Sequence, residues 1–294
     1  MRCLVPSGDV CGEAAVWSPD EHALYWVDIN RFLIHRYDTR SCATRSWCFD
    51  APLTALSLTT EKGRLLIAFG SHLEWWWPDT NERHPHGFRL EGWPDLRLND
   101  GRADPLGNFW IGSMVNNVGP EGDPLDRTGN QGILFRIAPD GAVTQWKTEI
   151  GISNTLCWSP DNSTFYFGDT LANCIWAYDY DIDTGDISNE RPFFTGFDRG
   201  LPDGSAIDSE GYLWNCRYFG GCVVRISPEG GIDRIIEMPT RNLTTAVFGG
   251  ANNNTLFVTS ASNEKAPQGD RLAGSVWTID TATSGLAPNR VIVA

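Results

Sequence analysis

Four short stretches of the chain place a polar side chain directly in front of a strand-like run of small and apolar residues. They are Gly12-Glu13-Ala14-Ala15-Val16, Arg97-Leu98-Asn99-Asp100-Gly101, Ile152-Ser153-Asn154-Thr155-Leu156 and Leu201-Pro202-Asp203-Gly204-Ser205. Brought together, Glu13 and Asp203 would supply two carboxylates and Asn154 an amide oxygen. An all-oxygen set of that kind suits a hard divalent cation such as Ca²⁺, Mg²⁺, Mn²⁺ or Fe²⁺ better than a metal that seeks thiolates. Two carboxylates also match the charge of one divalent ion. Taken singly, Asp-Gly and Asn-Thr are ordinary turn formers. Their repeated placement marks the set, provided the fold carries these distant segments to one point.

The elements that must do so are strands. Apolar residues recur at alternate positions in short runs broken by Gly, Pro, Asn and Asp, and helical periodicity is nearly absent. One phrase repeats six times: an apolar strand, a Pro/Asp/Gly/Asn turn, then a second strand opening on bulky apolar residues. The second strands begin at Leu24, Leu65, Phe109, Phe165, Leu213 and Leu256, at spacings of 41, 44, 56, 48 and 43 residues. A period of roughly 40 to 50 residues is that of a four-stranded propeller blade. The expected fold is all-β, a six-bladed β-propeller of four-stranded antiparallel blades, with residues 1–294 as one domain of six units of about 49 residues. In such a ring the starts of the innermost strands meet at the mouth of a central channel, where Glu13, Arg97, Asn99, Asp100, Asn154 and Asp203 would converge. The long third interval holds a Gly-, Pro-, Asn- and Asp-rich insertion, 116–131, expected to lie over that mouth.

Composition narrows the partners. Against 23 Lys and Arg stand 37 Asp and Glu, a net charge of −14, which disfavours phosphate backbones and anionic lipid surfaces, so neither nucleic acid nor membrane is expected as a partner. The 13 Trp are expected to fill the wedges between blades. The eight cysteines form no Cys-x-x-Cys pair and read as small buried hydrophobes in a reducing compartment. His84-Pro85-His86, the one histidine cluster, reads as an exposed outer segment. No stretch near Met1 resembles a targeting signal and no apolar run is long enough to span a membrane, so a cytoplasmic monomer or weak homo-oligomer is expected.

Further motifs lie in order along the whole chain: Trp17 and Tyr25-Trp26-Val27-Asp28-Ile29, Asn99-Asp100-Gly101, Asp104-Pro105-Leu106-Gly107, Gly112-Ser113-Met114, Ile152-Ser153-Asn154, Leu201-Pro202-Asp203-Gly204, and Thr244-Thr245 before Phe248-Gly249-Gly250. Together they resemble the SMP-30/gluconolactonase family. The resemblance implies a six-bladed propeller that hydrolyses sugar lactones with one divalent ion (Ca, Zn, Mn, Mg or Fe(II)). It places the metal ligands on Glu13, Asn154 and Asp203, with Asp203 also the catalytic base, and the substrate-binding residues on Arg97 and Asn99. Where the regucalcin branch carries a substrate-contacting glutamate this chain has Asn117, so the third substrate position is expected there and the preferred lactone does not transfer. Trp214-Asn215-Cys216-Arg217-Tyr218 is more similar to bacterial members, and Arg217 and Tyr218 are expected near the same mouth. The implied partner is a small sugar lactone. Two other readings stay open from sequence: a related propeller hydrolase of phosphotriesters or aryl esters, and a propeller that binds metal or protein without catalysis.

Overall fold

A computed structural model describes residues 1–262 and 269–294. Every regular element in it is a strand, and the strands form six four-stranded antiparallel sheets arranged as a six-bladed β-propeller. Blade one comprises Gly12–Ser18, Ala23–Asp28, Leu33–Asp38 and Ala43–Cys48. Blade two comprises Leu53–Leu58, Leu65–Phe69, His72–Trp77 and Glu82–Arg89. Blade three comprises Leu96–Ala103, Phe109–Val115, Gly132–Ile137 and Val143–Ile150. Blade four comprises Ser153–Trp158, Thr164–Asp169, Cys174–Tyr180 and Ile187–Thr195. Blade five comprises Leu201–Ile207, Leu213–Tyr218, Cys222–Ile226 and Ile232–Glu237. Blade six has Leu243–Gly249, Thr255–Ser260 and Val276–Asp280 from the end of the chain. All six second strands begin within one residue of the positions read from the repeat.

The first strand of each blade packs against the first strands of both neighbours, so these six line the channel. They are almost wholly buried, which is why they read as runs of small and apolar residues. The outer strands alternate or are largely exposed, as in Ala43–Cys48 and Ile232–Glu237. Tryptophan fills the wedges. Trp26, Trp76 and Trp110 are fully buried, and the indole N–H of Trp110 and of Trp214 each donates to an aspartate six residues earlier, Asp104 and Asp208, at 2.9 Å. A buried indole keeps its polar edge satisfied in this way, and the Asp-x-x-Gly turn between first and second strands supplies the acceptor.

The frame differs from six equal consecutive units in two respects. The fourth strand of blade six is N-terminal: Arg2–Val5 pairs antiparallel with Val276–Asp280, Cys3 opposite Trp277. This joins the chain ends by backbone hydrogen bonds, where a ring closed through side chains alone would leave open strand edges. The last fourteen residues cross the floor of the channel. Gly285 bridges Asp208 of blade five, Ile292 N–H donates to Gly107 of blade three, and Val291 pairs with Thr59 beside blade two. A cavity of about 130 Å³ lies in the channel above this tail, lined among others by Ala15, Asp100, Arg102, Cys157 and Pro288.

All eight cysteines are free thiols. Cys157, Cys174, Cys216 and Cys222 are buried and Cys3 and Cys11 partly so, but Cys42 and Cys48 are exposed, because the outermost strand of blade one has no further layer over it. His84 is exposed and paired with Glu82 at 2.7 Å, as expected for the outer segment, whereas His86 is half-buried against Trp75.

Candidate active site

Each first strand is irregular at the same level. Pairing in blade one skips from Glu13 opposite Val27 to Val16 opposite Tyr25. In blade three it skips from Leu98 opposite Ser113 to Gly101 opposite Ile111, in blade four from Asn154 to Leu156, and in blade five from Pro202 to Ser205. Blades two and six shift at Leu53/Ala55 and Leu243/Ala246. A bulge leaves residues unpaired and re-aims their side chains. The polar residues expected just before the first strands therefore lie within them, at the bulges, because pairing resumes on the far side. Ala14 and Thr155 adopt φ of 52° and 51°, the left-handed conformation that lets the chain turn back into register.

The bulges bring Glu13, Arg97, Asn99, Asp100, Asn154 and Asp203 into one buried belt around the channel. Close packing leaves little choice of residue beside them: a Cβ on Gly204 would lie 2.8 Å from the Cα of Thr245 in the next blade. Glu13 accepts from the Ala14 N–H at 2.9 Å. The carbonyl of Asp203 accepts from Thr155 Oγ1 at 2.5 Å and from Asn215 Nδ2 at 3.0 Å, fixing the backbone from which its carboxylate projects.

A directed chain of hydrogen bonds crosses blades three, four and five. Arg97 Nη1 donates to Asn99 Oδ1 at 2.6 Å, and Asn99 Nδ2 donates to the Ser153 carbonyl at 2.9 Å and to Asn154 Oδ1 at 3.3 Å. Asn154 Nδ2 donates to Thr170 Oγ1 at 2.8 Å, and Thr170 Oγ1 donates to the Pro202 carbonyl at 2.7 Å. A guanidinium can only donate and a carbonyl can only accept, so the two ends fix every amide between them.

Charge at the belt is unbalanced. Burial, then repulsion from Asp100, raises Glu13 from the usual carboxylate range to about 8. Burial, then Glu13 and Asp100, raises Asp203 well above that range, and burial raises Asp100. None of the three makes a salt bridge among the described residues, and Asp100 Oδ2 has no hydrogen-bond partner. Arg97, one of the guanidiniums whose charge acts on Glu13, is brought down to about 10 by burial and so remains charged at neutral pH. It is committed instead to Asn117 Oδ1 (3.0 Å), the Leu98 carbonyl and Asn99.

Among the described residues no group of three His, Cys, Asp or Glu side chains is placed to hold a metal ion. The set the bulges assemble has two carboxylates and an amide oxygen. Buried carboxylates that repel each other and form no ion pair among the described residues fit a bound cation, and oxygen donors fit a hard one.

Asn117, half-buried, is joined to the belt through Arg97. The 116–131 segment leaves blade three and reaches blade one, where Asn30 Nδ2 donates to the Gly122 carbonyl at 2.7 Å, and Val118 packs into the core of blades one and two. Arg217, expected near the mouth, turns its guanidinium inward to backbone carbonyls. Only 1% exposed, it donates to the Arg199, Gly200 and Phe197 carbonyls and to Asn173 and Asn215, a structural hub beneath the rim. Thr170 and Asn215, which hold Asn154 and Asp203, were not legible in sequence. Both are on or just after second strands, and their roles depend on register.

The fold and this belt define a propeller with a cluster of buried polar side chains in its central channel. The family model described as SMP-30/Gluconolactonase/LRE-like region matches residues 11–262, and the chain belongs to that family. It is 34% identical to pentonolactonase XacC of Haloferax volcanii, over 93% of this chain and 92% of that protein. Human regucalcin is 31% identical over 98% of this chain and 97% of its own. Among solved structures, a calcium-binding regucalcin from Agrobacterium tumefaciens superposes with a TM-score of 0.90 at 28% identity, covering 99% of this chain and 96% of that one. Among the described residues no helix is long and apolar enough to cross a membrane.

Proposed function

We propose that the protein hydrolyses an aldonolactone to its open-chain aldonic acid, using one divalent ion held by Glu13, Asn154 and Asp203. The observation that carries this reading is the pair of buried, mutually repelling carboxylates on the bulges of blades one and five. Neither forms an ion pair among the described residues, burial outweighs the pull of the guanidiniums around them, and an amide oxygen of blade four lies in the same belt. The names of the pentonolactonase and of the calcium-binding relative support it. When bound, a divalent ion supplies Lewis acidity toward the lactone carbonyl.

The chain's own groups do the rest. Asp203 accepts the proton of the water that attacks the carbonyl carbon. The ring C–O bond then breaks, and its oxygen takes up a proton to become a hydroxyl, so that lactone and water give hydroxy acid. Arg97, whose Nη2 makes no hydrogen bond among the described residues, donates to a substrate oxygen. Asn117 presents Nδ2 beside it, since its Oδ1 accepts from Arg97, and Asn99 orients Arg97. The 116–131 segment, anchored on blade one, covers the mouth and limits water. Eight free thiols support a cytoplasmic location.

The test is a panel of glucono-, xylono-, arabino- and galactonolactones assayed for acid release with Ca²⁺, Mn²⁺, Zn²⁺, Mg²⁺ and Fe²⁺ in turn. At least one pairing should exceed the spontaneous rate, and Asp203→Asn should reduce kcat by about 10²- to 10⁴-fold. No acid release above background with any ion would sink the reading, and an unimpaired Asp203→Asn would remove Asp203 from it.

A further inference from the structure

The second strand of blade four ends at Asp169, and the residue after it, Thr170, is buried. Its hydroxyl has one proton, which goes to the Pro202 carbonyl at 2.7 Å. Toward Asn154 it can therefore only accept, and the amide end facing it at 2.8 Å must be the NH₂. The oxygen end of Asn154 is left turned to Asn99 Nδ2, the belt residue that Arg97 holds. Reversing the amide would set two acceptors against each other at Thr170 and two NH₂ groups against each other at Asn99, leaving buried polar atoms unpaired. Thr170 also holds the carbonyl next to Asp203.

We infer that Thr170 is the positioning residue of the metal site: its hydroxyl fixes the Asn154 amide with oxygen toward the ion and ties that choice to the strand carrying Asp203. This rests on the proposed role of Glu13, Asn154 and Asp203. Thr170 touches no reacting atom and acts through Asn154. Outer groups of this kind orient a ligand, and their loss typically weakens metal binding about 10- to 100-fold.

Thr170→Val keeps the shape and removes the hydroxyl, whereas Thr170→Ser keeps the hydroxyl. Mn²⁺ and Ca²⁺ binding to the full-length metal-free proteins is measured by titration calorimetry, with apo melting temperature recorded alongside. Thr170→Val should bind about 10- to 100-fold more weakly, and Thr170→Ser within about threefold of wild type. At saturating metal Thr170→Val should recover most of kcat. The same change in an Asn154→Asp background should cost less than about threefold, since a carboxylate has oxygen at both ends and no end must be selected. This double variant separates orientation from general loosening, which would weaken binding in both backgrounds. Wild-type protein that bound neither of these ions, nor Zn²⁺, Mg²⁺ or Fe²⁺ in the same titration, would refute the metal site itself. Wild-type binding with an unchanged Thr170→Val, or an equal loss in both backgrounds, would refute the role of Thr170 alone. Should Thr170→Val fail to fold, Thr170→Ser and Thr170→Cys replace it: a thiol donates weakly, so Thr170→Cys binding as tightly as Thr170→Ser would overturn the inference.

Discussion

Glu13 and Asp203 hold opposite requirements in one place. Their burial raises the proton affinity of both carboxylates, and neighbouring charge adds to it, from Asp100 on Glu13 and from Glu13 and Asp100 on Asp203. Without metal the folded protein takes up protons more readily than the unfolded chain. A carboxylate raised in the fold leaves stability intact below its unfolded value and withdraws it as pH rises through its folded value. For Glu13 that window runs from 4.5 to about 8. Chelator-treated protein should therefore lose stability in urea between about pH 5 and pH 8, and saturating divalent ion should remove most of that loss. A metal-free protein whose stability rose steadily to pH 8 would show that these groups are ionised at little cost. Glu13, Asn154 and Asp203 were legible because a lone polar residue beside small ones repeats at a blade-like interval. Thr170 was not, since threonine after a strand is common and only the registered neighbours, Asn154 and Pro202, give it a purpose.

At the scale of the element, blades one and four share a device. Asp28 and Asp169 each close a second strand and accept from the backbone entering the blade, Val10 and Cys11 in one case and Gly151 and Ile152 in the other, at 2.8–3.2 Å. Each thus sets the strand that carries Glu13 or Asn154. In blade five the corresponding position is Tyr218, paired with Leu201, and the polarity is reversed. Arg217 donates to the entering carbonyls of Phe197, Arg199 and Gly200 and, through Asn215, reaches the Asp203 carbonyl. Burial brings its guanidinium down to about 10, so it is still charged at neutral pH. Arg217→Met should destabilise the protein by about 3 kcal/mol or more, since several buried acceptors lose their donor. Arg217→Lys should also destabilise, as one ammonium cannot reach so many acceptors. Urea denaturation measures both, and a cost under about 1 kcal/mol for Arg217→Met would show that water replaces the guanidinium. The sequence showed Arg217 as a cation near the mouth. Its inward direction follows from the bulge at Pro202/Ser205, which a strand pattern does not display.

For the whole molecule, the repeat made six blades legible but concealed how the ring closes, because Arg2–Val5 is too short to carry a pattern of its own and the final tail has no strand period. The two terminal segments sit at different distances from the belt. The N-terminal strand completes blade six, whose Thr244 hydroxyl donates to the Gly12 carbonyl, one residue before Glu13. The tail of 281–294 binds the opposite end, where Arg290 pairs with Asp20 at 2.7 Å and Asn289 Nδ2 donates to the Ala103 carbonyl. Removing either should lower the melting temperature, on the order of 5 °C for a few kcal/mol in a protein of this size. Their effects on the site should part. Deleting residues 2–5 loosens the seam that supports Glu13 and should weaken divalent-ion binding at least about tenfold, by analogy with loss of an orienting outer group. Deleting 282–294 opens the cavity floor but leaves the bulges held by their own rim contacts, so binding should stay within about threefold of wild type. Calorimetric titration of both truncated proteins below their melting points decides the matter. Equal weakening in the two would mean that the channel responds as one body, and that the belt is held from the floor as well as from the rim.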